Sequence, residues 1–425
     1  MFKTNKGEQI MKRLFVFAVI FTLAFGALAA MPTRAATTIT VWTTGSEDDA
    51  LIFKAAADLW AAKTGNEVKV EAVSWNDTYA KNLAAVTSGQ GPDIFTGGLS
   101  YGIDFGSKGG LVNLGEKFAD DIKSMREVTY QGVWPSIVNT AGEVFAVPYD
   151  LTVYLMYFRP DLLKEAGVEA APKTWEELTE AIKMVQAKTE GSAFAMQWGN
   201  AQWLYFANYL YQAGGDFYTP DCSEVTINSE AGVTALEFMA SLYQEYGSPT
   251  DGWPDLENGL VTGQYPFGAT GNWLVGSLDV GKPEIAGKWE IAPLPAGPSG
   301  KSTVFLGGRV MGIMSFSQNV DLAWDLIKFL YTEEGASAML SKATEKSAIF
   351  FPPVTAYYDL LKVDAAKLEA IKTQLNDAKG PPNCPGWEEG ANEVQRLLDT
   401  VLLKDADAQE ALDAAAAELE RLLNE

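Results

Sequence analysis

The chain has 425 residues with no histidine, two cysteines and 55 acidic against 32 basic residues, a net charge of −23. That length accommodates two domains of ordinary size, and 47% hydrophobic with 20% charged residues is a globular composition, neither disordered nor fibrous. The negative balance opposes nucleic acid or anionic lipid as partner, since both require a basic surface, and the lack of histidine removes Ser-His-Asp, Cys-His and His-metal chemistry together.

Lys12 and Arg13 precede an apolar run from Leu14 to Leu28, with small residues at Ala27, Ala29 and Ala30. This is the layout of a secretory signal peptide, cleaved after Ala29 or after Ala35, and Met11 makes a tidier start for it than Met1. The run is shorter than the roughly 20 residues a spanning helix needs, and no cysteine near the cleavage positions offers a lipid attachment point. The expectation is an exported, soluble, periplasmic protein with no membrane insertion. Loss of residues 1–35 removes five basic residues and one acidic residue, leaving 27 against 54 and a net charge of −27.

Beyond the leader, Thr38–Trp42 alternates β-branched and aromatic residues and predicts a strand. A helix over Ala50–Thr64 ends at Gly65, a second strand covers Glu67–Val73, a helix runs from about Asp77 to Thr87 before Gly89, and Pro92-Asp93-Ile94-Phe95 opens a buried strand. Strand and helix in alternation imply right-handed crossovers and a mainly parallel sheet. Thr152–Phe158 is another strand, followed by an Arg159-Pro160-Asp161 turn, a short helix ending at Gly167, and a helix over Thr174–Lys188 opened by a Thr174/Glu177 capping box. Helices follow at Ala201–Ala213 and Ser229–Tyr246. A Pro/Gly cluster at residues 293–300 marks a loop, then come a strand over Thr303–Met314, helices at Val320–Tyr331 and Glu333–Leu340, and, after Pro352-Pro353, a helical remainder with Asp407 and Glu410 as a last capping box.

Cys222 and Cys384 each lie in a turn-rich loop. In an oxidising compartment such a pair favours a disulfide, with two free thiols as the alternative. Two cysteines without histidine do not make a zinc site. Neither a phosphate-binding G-x-x-x-x-G-K-[ST] nor a strand–GxGxxG–helix fingerprint is present, and no cofactor is expected. Glu47, Asp48 and Asp49 follow the first strand; adjacent carboxylates on one loop do not set the separation of a glycosidase pair, and they suit the positive end of the following helix, with ligand contact as their second reading.

As an ordered set, Pro148-Tyr149-Asp150, Tyr157-Phe158-Arg159 with Asp161-Leu162-Leu163, Ala166-Gly167 and Pro172-x-Thr174-Trp175-Glu176-Glu177-Leu178 resemble the family 1 extracellular solute-binding proteins of sugar ABC importers, the maltose- and trehalose-binding type. The likeness extends through Ile39–Trp42, Ser88-Gly89 with Pro92-Asp93-Ile94, Gly109-Gly110-Leu111-Val112-x-Leu114, Gly263-x-x-x-Phe267-x-x-x-Gly271-x-Trp273, Pro293-Leu294-Pro295-x-Gly297-Pro298 and Leu306-Gly307-Gly308. It implies a type II periplasmic-binding-protein fold, α/β with two lobes, each a mainly parallel sheet flanked by helices, and the ligand cleft between them. Residues 36–150 and 301–353 would form one lobe and 151–300 and 354–425 the other, with crossings near Asp150, Gly300 and Pro353. The implied partners are a small carbohydrate, expected to be an oligosaccharide, and a membrane-embedded ABC permease contacted transiently by a monomeric binding protein without catalytic residues.

With 12 Trp, 16 Tyr and 21 Phe, the chain has aromatic surface to spare for sugar rings, though the phenylalanines read as core. Loops at the carboxyl ends of strands bind ligand in open α/β sheets, and related proteins contact ligand there. This selects Thr44, Glu47, Trp75, and Gly98 to Tyr101 in the first lobe, with Tyr149 and Asp150 at the crossing, where Asp150 would accept from vicinal hydroxyls or serve in hinge packing. Trp203 and Trp273 are the stacking candidates of the second lobe, with Trp198 and Tyr205 as alternates and Trp387 as a weaker candidate whose first reading is helix packing. Gly308 would let the backbone approach the ligand, and Arg309, which departs from the aromatic often found there, would grip hydroxyls or an acidic group. Two rivals stand beside this reading: the same fold with a polyamine, peptide or acidic sugar derivative as cargo, and a secreted polysaccharide-degrading enzyme using carboxylates.

Overall fold

Residues 36–188, 193–196, 198, 202–250 and 256–424 are described in a computed structural model; the expected leader, 1–35, and Ala201, the expected start of a helix, lie outside them. β1 (Thr38–Thr44), α1 (Glu47–Thr64), β2 (Glu67–Val73), α2 (Trp75–Ser88), β3 (Ile94–Gly98) and the short α3 (Tyr101–Ser107) follow in that order. α1 starts before the expected Ala50 because Ser46 and Asp49 form a capping box. Asp49 N donates to Ser46 Oγ at 3.3 Å and Ser46 N donates to Asp49 Oδ2 at 2.8 Å, so two orphan donors are satisfied reciprocally. Gly65 and Gly89 end α1 and α2 at φ 72° and 68°, the left-handed turn that glycine adopts without a Cβ penalty.

β4 (Ala146–Phe158) begins well before the expected Thr152. α4 (Trp175–Gln186) is capped by Thr174, which accepts from Glu177 N at 3.2 Å, while the Glu177 carboxylate reaches one residue further back and accepts from Lys173 N at 2.7 Å. Then come β5 (Phe194–Met196), α5 (Gln202–Ala213), β6 (Phe267–Gly271), α6 (Leu274–Gly281), β7 (Glu290–Ala292), β8 (Val304–Ile313), β9 (Ala378–Lys379) and α7 (Trp387–Lys404). β9 interrupts the helical run expected after Pro352-Pro353.

The strands lie in the order β2-β1-β3-β8-β4-β6-β5, with β7 also on β4 and β9 on β8. Parallel pairing joins β1 to β2 and β3, β5 to β6, and β8 to β9, whereas β4 is antiparallel to β8, β6 and β7, and β8 to β3. The sheet is therefore mixed, because β8 re-enters beside β3 from far along the chain instead of through a local crossover helix. β4 pairs with β8 over Ala146–Val153 and with β6 over Tyr154–Phe158, so one strand passes from one half of the molecule to the other. The segment before Pro352-Pro353 runs alongside: Leu151 N donates to Phe351 O at 3.0 Å.

At this passage β4 has a register shift between Pro148 and Asp150. Gly308 faces it with φ 121°, and a Cβ there would lie 2.2 Å from Asp150 O, so only glycine fits. Trp60, Trp134, Phe53 and Phe95 fill the core on the β1 side, and Trp289, Tyr157 and Phe194 on the β6 side. Cys222 and Cys384 lie with Cα atoms 5.5 Å apart and their sulfurs bonded, tying the Thr219–Glu224 turn to the entry of α7.

Candidate ligand-binding site

The strands β1, β3, β4 and β8 meet around Arg309. In-register pairing sets Arg309 opposite Gly98 on one side and Asp150 on the other. Arg309 Nε donates to Asp150 Oδ2 at 3.0 Å, the Arg309 amide donates to Asp150 Oδ1 at 2.8 Å, and a second guanidinium nitrogen also reaches Asp150. The remaining nitrogen, Nη1, donates to Thr44 O at 2.6 Å and to Asp49 Oδ1 at 2.8 Å, and the cation lies 5.1 Å from the centre of the Tyr149 ring. Burial works against the Arg309 charge, but Asp150 and Asp49 outweigh it and hold the group protonated more firmly than usual. For Asp49, burial pushes upward, and Arg309 together with the Ser46 amide and hydroxyl overcomes this and keeps the carboxyl below its ordinary value.

This arrangement revises five of the expected contacts. Asp150 and Arg309 are each other's partners, so neither the carboxylate nor the guanidinium fork is presented whole to a solute. Tyr149 is buried between Phe53 and Phe350, 5.7 and 5.1 Å from their centres, and supports Arg309 from beneath; burial raises its hydroxyl pKa well beyond its ordinary value. Thr44 is fully buried, its hydroxyl 2.6 Å from Thr78 Oγ1 and donating to Thr96 O at 2.7 Å, because the end of β1 is clamped against β3. Gly308 brings its backbone against β4. Asp49, read from the sequence first as a capping carboxylate and second as a ligand contact, is here also a partner of Arg309.

An aromatic line runs from the start of α6 to the start of α7. Trp273, 39% exposed at the start of α6, meets Tyr154 edge to face at 5.8 Å, and its ring covers Gly271. Tyr154 lies 5.1 Å from Tyr205 and 6.4 Å from Phe305; Trp203 is 5.4 Å from Phe305 and 5.1 Å from Trp387. The structure thus joins Trp203 and Trp273, the two stacking candidates, through Tyr154 and Phe305, which belong to β4 and β8. Trp387, a weaker ligand candidate read first as helix packing, is buried, and Trp198 stands apart against Tyr243 at 5.1 Å.

Across the cleft, Tyr101 lies over Gly97 and Gly98 and meets Tyr79 at 5.2 Å. Burial raises both hydroxyls above their ordinary pKa, with Glu388 and Asp104 adding to it. Ser100 donates to the Glu388 carboxylate. Glu47 is exposed at the first turn of α1, and Trp75, 51% exposed, opens α2. Among the described residues, no group of three or more His, Cys, Asp or Glu side chains is arranged to hold a metal ion, and no helix is long and apolar enough to cross a membrane.

Two lobes joined by shared strands define a type II periplasmic-binding-protein architecture. A family profile, bacterial extracellular solute-binding protein, matches residues 44–337, and the chain belongs to that family. A probable ABC transporter-binding protein of Deinococcus radiodurans is 30% identical over 333 residues, 73% of this chain and 75% of that one. The lactose-binding protein of Rhizobium radiobacter is 25% identical over 399 residues, 86% of this chain and 92% of that one. The maltose-bound structure of T. maritima MalE3 is similar with a TM-score of 0.77 at 26% identity, covering 91% of this chain and 100% of that one. These proteins are named for binding and not for a reaction.

Proposed function

We propose that this chain is the exported, soluble binding component of a carbohydrate ABC importer, a monomer that captures a sugar by hinge closure and delivers it to the permease without chemistry of its own. The observation that carries this reading is the aromatic line of Trp273, Tyr154 and Trp203 beside a floor whose buried cation is already held by two carboxylates. Sugar C–H faces pack on such rings while polar groups at their edges take the hydroxyls. A neutralised Arg309 favours an uncharged sugar over an acidic one. Relatives named for lactose and maltose support a cargo of more than one ring.

In this reading residues 1–35 are the leader, residues 36–150 and 301–353 form the first lobe and 151–300 and 354–425 the second, which agrees with the change of β4 partners after Val153. Open and closed forms exchange, and a ligand bridging both lobes shifts the population toward closure, which the permease reads. Export through the leader places the protein in the periplasm. Trp273, Trp203, Tyr101, Trp75 and Glu47 are the proposed contacts.

A thermal-shift screen of mono- and oligosaccharides, amino acids and polyamines tests the assignment, because a ligand at 100 times its dissociation constant stabilises the native state by roughly 2.7 kcal/mol. Stabilisation by oligosaccharides is expected; stabilisation by polyamines or amino acids alone would overturn it. Bound oligosaccharide should be recovered unchanged after long incubation, and its hydrolysis would move the protein to the enzyme class.

A further inference from the structure

Ser100 and Glu388 are separated by 288 positions in sequence, yet the Ser100 hydroxyl donates to Glu388 Oε1. They belong to opposite sides of the cleft. Ser100 immediately precedes α3, which follows β3 on the first-lobe sheet. Glu388 is the second residue of α7, whose first residue, Trp387, is anchored in the second lobe against Trp203, Phe217 and Tyr218 at 5.1, 4.8 and 6.2 Å. This hydrogen bond therefore joins two elements that a hinge motion would separate, beside the bonds from Asn383 to Pro135 O and Val138 O and from Tyr130 to Leu375 O.

The surroundings of this bond suit a carboxyl more than a carboxylate. α3 presents Tyr101, Asp104 and Lys108, and α2 presents Tyr79, whose hydroxyl donates to Asp104 Oδ2 at 3.0 Å. Lys108, the nearby cation, pairs with Asp104, and Glu389 follows on α7. Tyr79 and Tyr101 stay neutral, because burial raises both. Burial pushes the Glu388 carboxyl up from its ordinary 4.5 to about 7, with Asp104 adding to the effect and the Ser100 hydroxyl and Lys108 opposing it.

We infer that Glu388 and Ser100 form an acid-sensitive latch between the lobes, so that closure over the ligand takes up a proton. The inference rests on the hinge-closing reading above. In the open form Glu388 faces water and titrates as an ordinary glutamate. Its closed-form value is the higher one, so the latch is strongest below about pH 4.5 and is lost as pH rises through about 7. Between those limits closure weakens with each unit of pH, by up to about tenfold per unit for a single linked proton.

Small-angle scattering of the unliganded protein between pH 5 and pH 8 tests the latch without a sugar. The wild type should be compact at pH 5 and expanded at pH 8. Glu388→Gln, whose amide oxygen still accepts from Ser100 but carries no charge, should be compact at both; Ser100→Ala should be expanded at both, with circular dichroism showing each variant folded. A wild-type radius that does not change with pH, or the same change in Glu388→Gln, would overturn the latch. Calorimetric titration with maltose and lactose forms a separate arm. A latch seen in scattering with no sugar bound by any route would sink the carbohydrate reading alone, and sugar binding with identical pH profiles in wild type and Glu388→Gln would sink the latch alone.

Discussion

Trp273 stands at the start of α6 with one edge on Tyr154 and 39% of its surface open, a posture that suits the contact proposed for it. Trp273→Ala is expected to weaken oligosaccharide binding by roughly 2–4 kcal/mol while moving the urea midpoint of the unliganded protein little. A loss of roughly 3–5 kcal/mol in stability with affinity preserved would return Trp273 to packing. Arg309 is the opposite case. Buried and shared between Asp150 and Asp49, it leaves two unpaired carboxylates when removed, so Arg309→Met should destabilise folding by roughly 3–5 kcal/mol in urea unfolding. Arg309→Lys should recover only part of this, because a point charge cannot reproduce the fork. Asp49 adds a pH signature: its pKa is depressed in the fold, so its contribution is present above the ordinary value of 3.8 and disappears as pH falls through the lower folded value. Asp49→Asn should accordingly lose less stability than the wild type between pH 5 and pH 3.

Elements with local stop and start signals were legible without the fold. The Thr174 cap, the Asp407 cap, which accepts from Glu410 N at 2.9 Å, and the glycines after α1 and α2 all stand where local chemistry puts them. Asp407→Ala should cost the last helix about 1 kcal/mol, read as a lower thermal midpoint. β5, β6, β7 and β9 were not legible, since runs of two to five residues are too short to show a period. The early start of β4 was hidden by Pro148, which propensity counts against a strand and which here stands beside a register shift. Gly308 belongs to the same feature. Its φ is 121° and a side-chain methyl would stand 2.2 Å from Asp150 O, so Gly308→Ala should lower stability by roughly 1–3 kcal/mol and disturb the Arg309–Asp150 pairing across it.

For the molecule as a whole, ligand binding should reduce the radius of gyration, because β4, β8 and the segment before Pro352-Pro353 pass side by side between the lobes and leave rotation about them as the available motion. An equal radius with and without a tightly bound sugar would count against it. The Cys222–Cys384 bond closes a separation of 162 residues, so reduction should cost roughly 4–5 kcal/mol in the chain-entropy description, and unreduced, denatured protein should titrate no free thiol. Because that bond holds the entry of α7, its loss should also loosen the approach of Glu388 to Ser100.

The α/β alternation, the capped helices and the expectation of a two-lobed binding fold could be drawn from the sequence alone, since each depends on local periodicity or on motifs in fixed order. Which charges remain free for a ligand could not. Asp49, Asp150 and Arg309 lie far apart along the chain, as do Ser100 and Glu388, and only the pairing of β3, β4 and β8 and the return of α7 to the cleft bring each set together. A side chain's type is a local property, but whether its charge is neutralised, buried or offered to solvent depends on neighbours that the tertiary structure supplies.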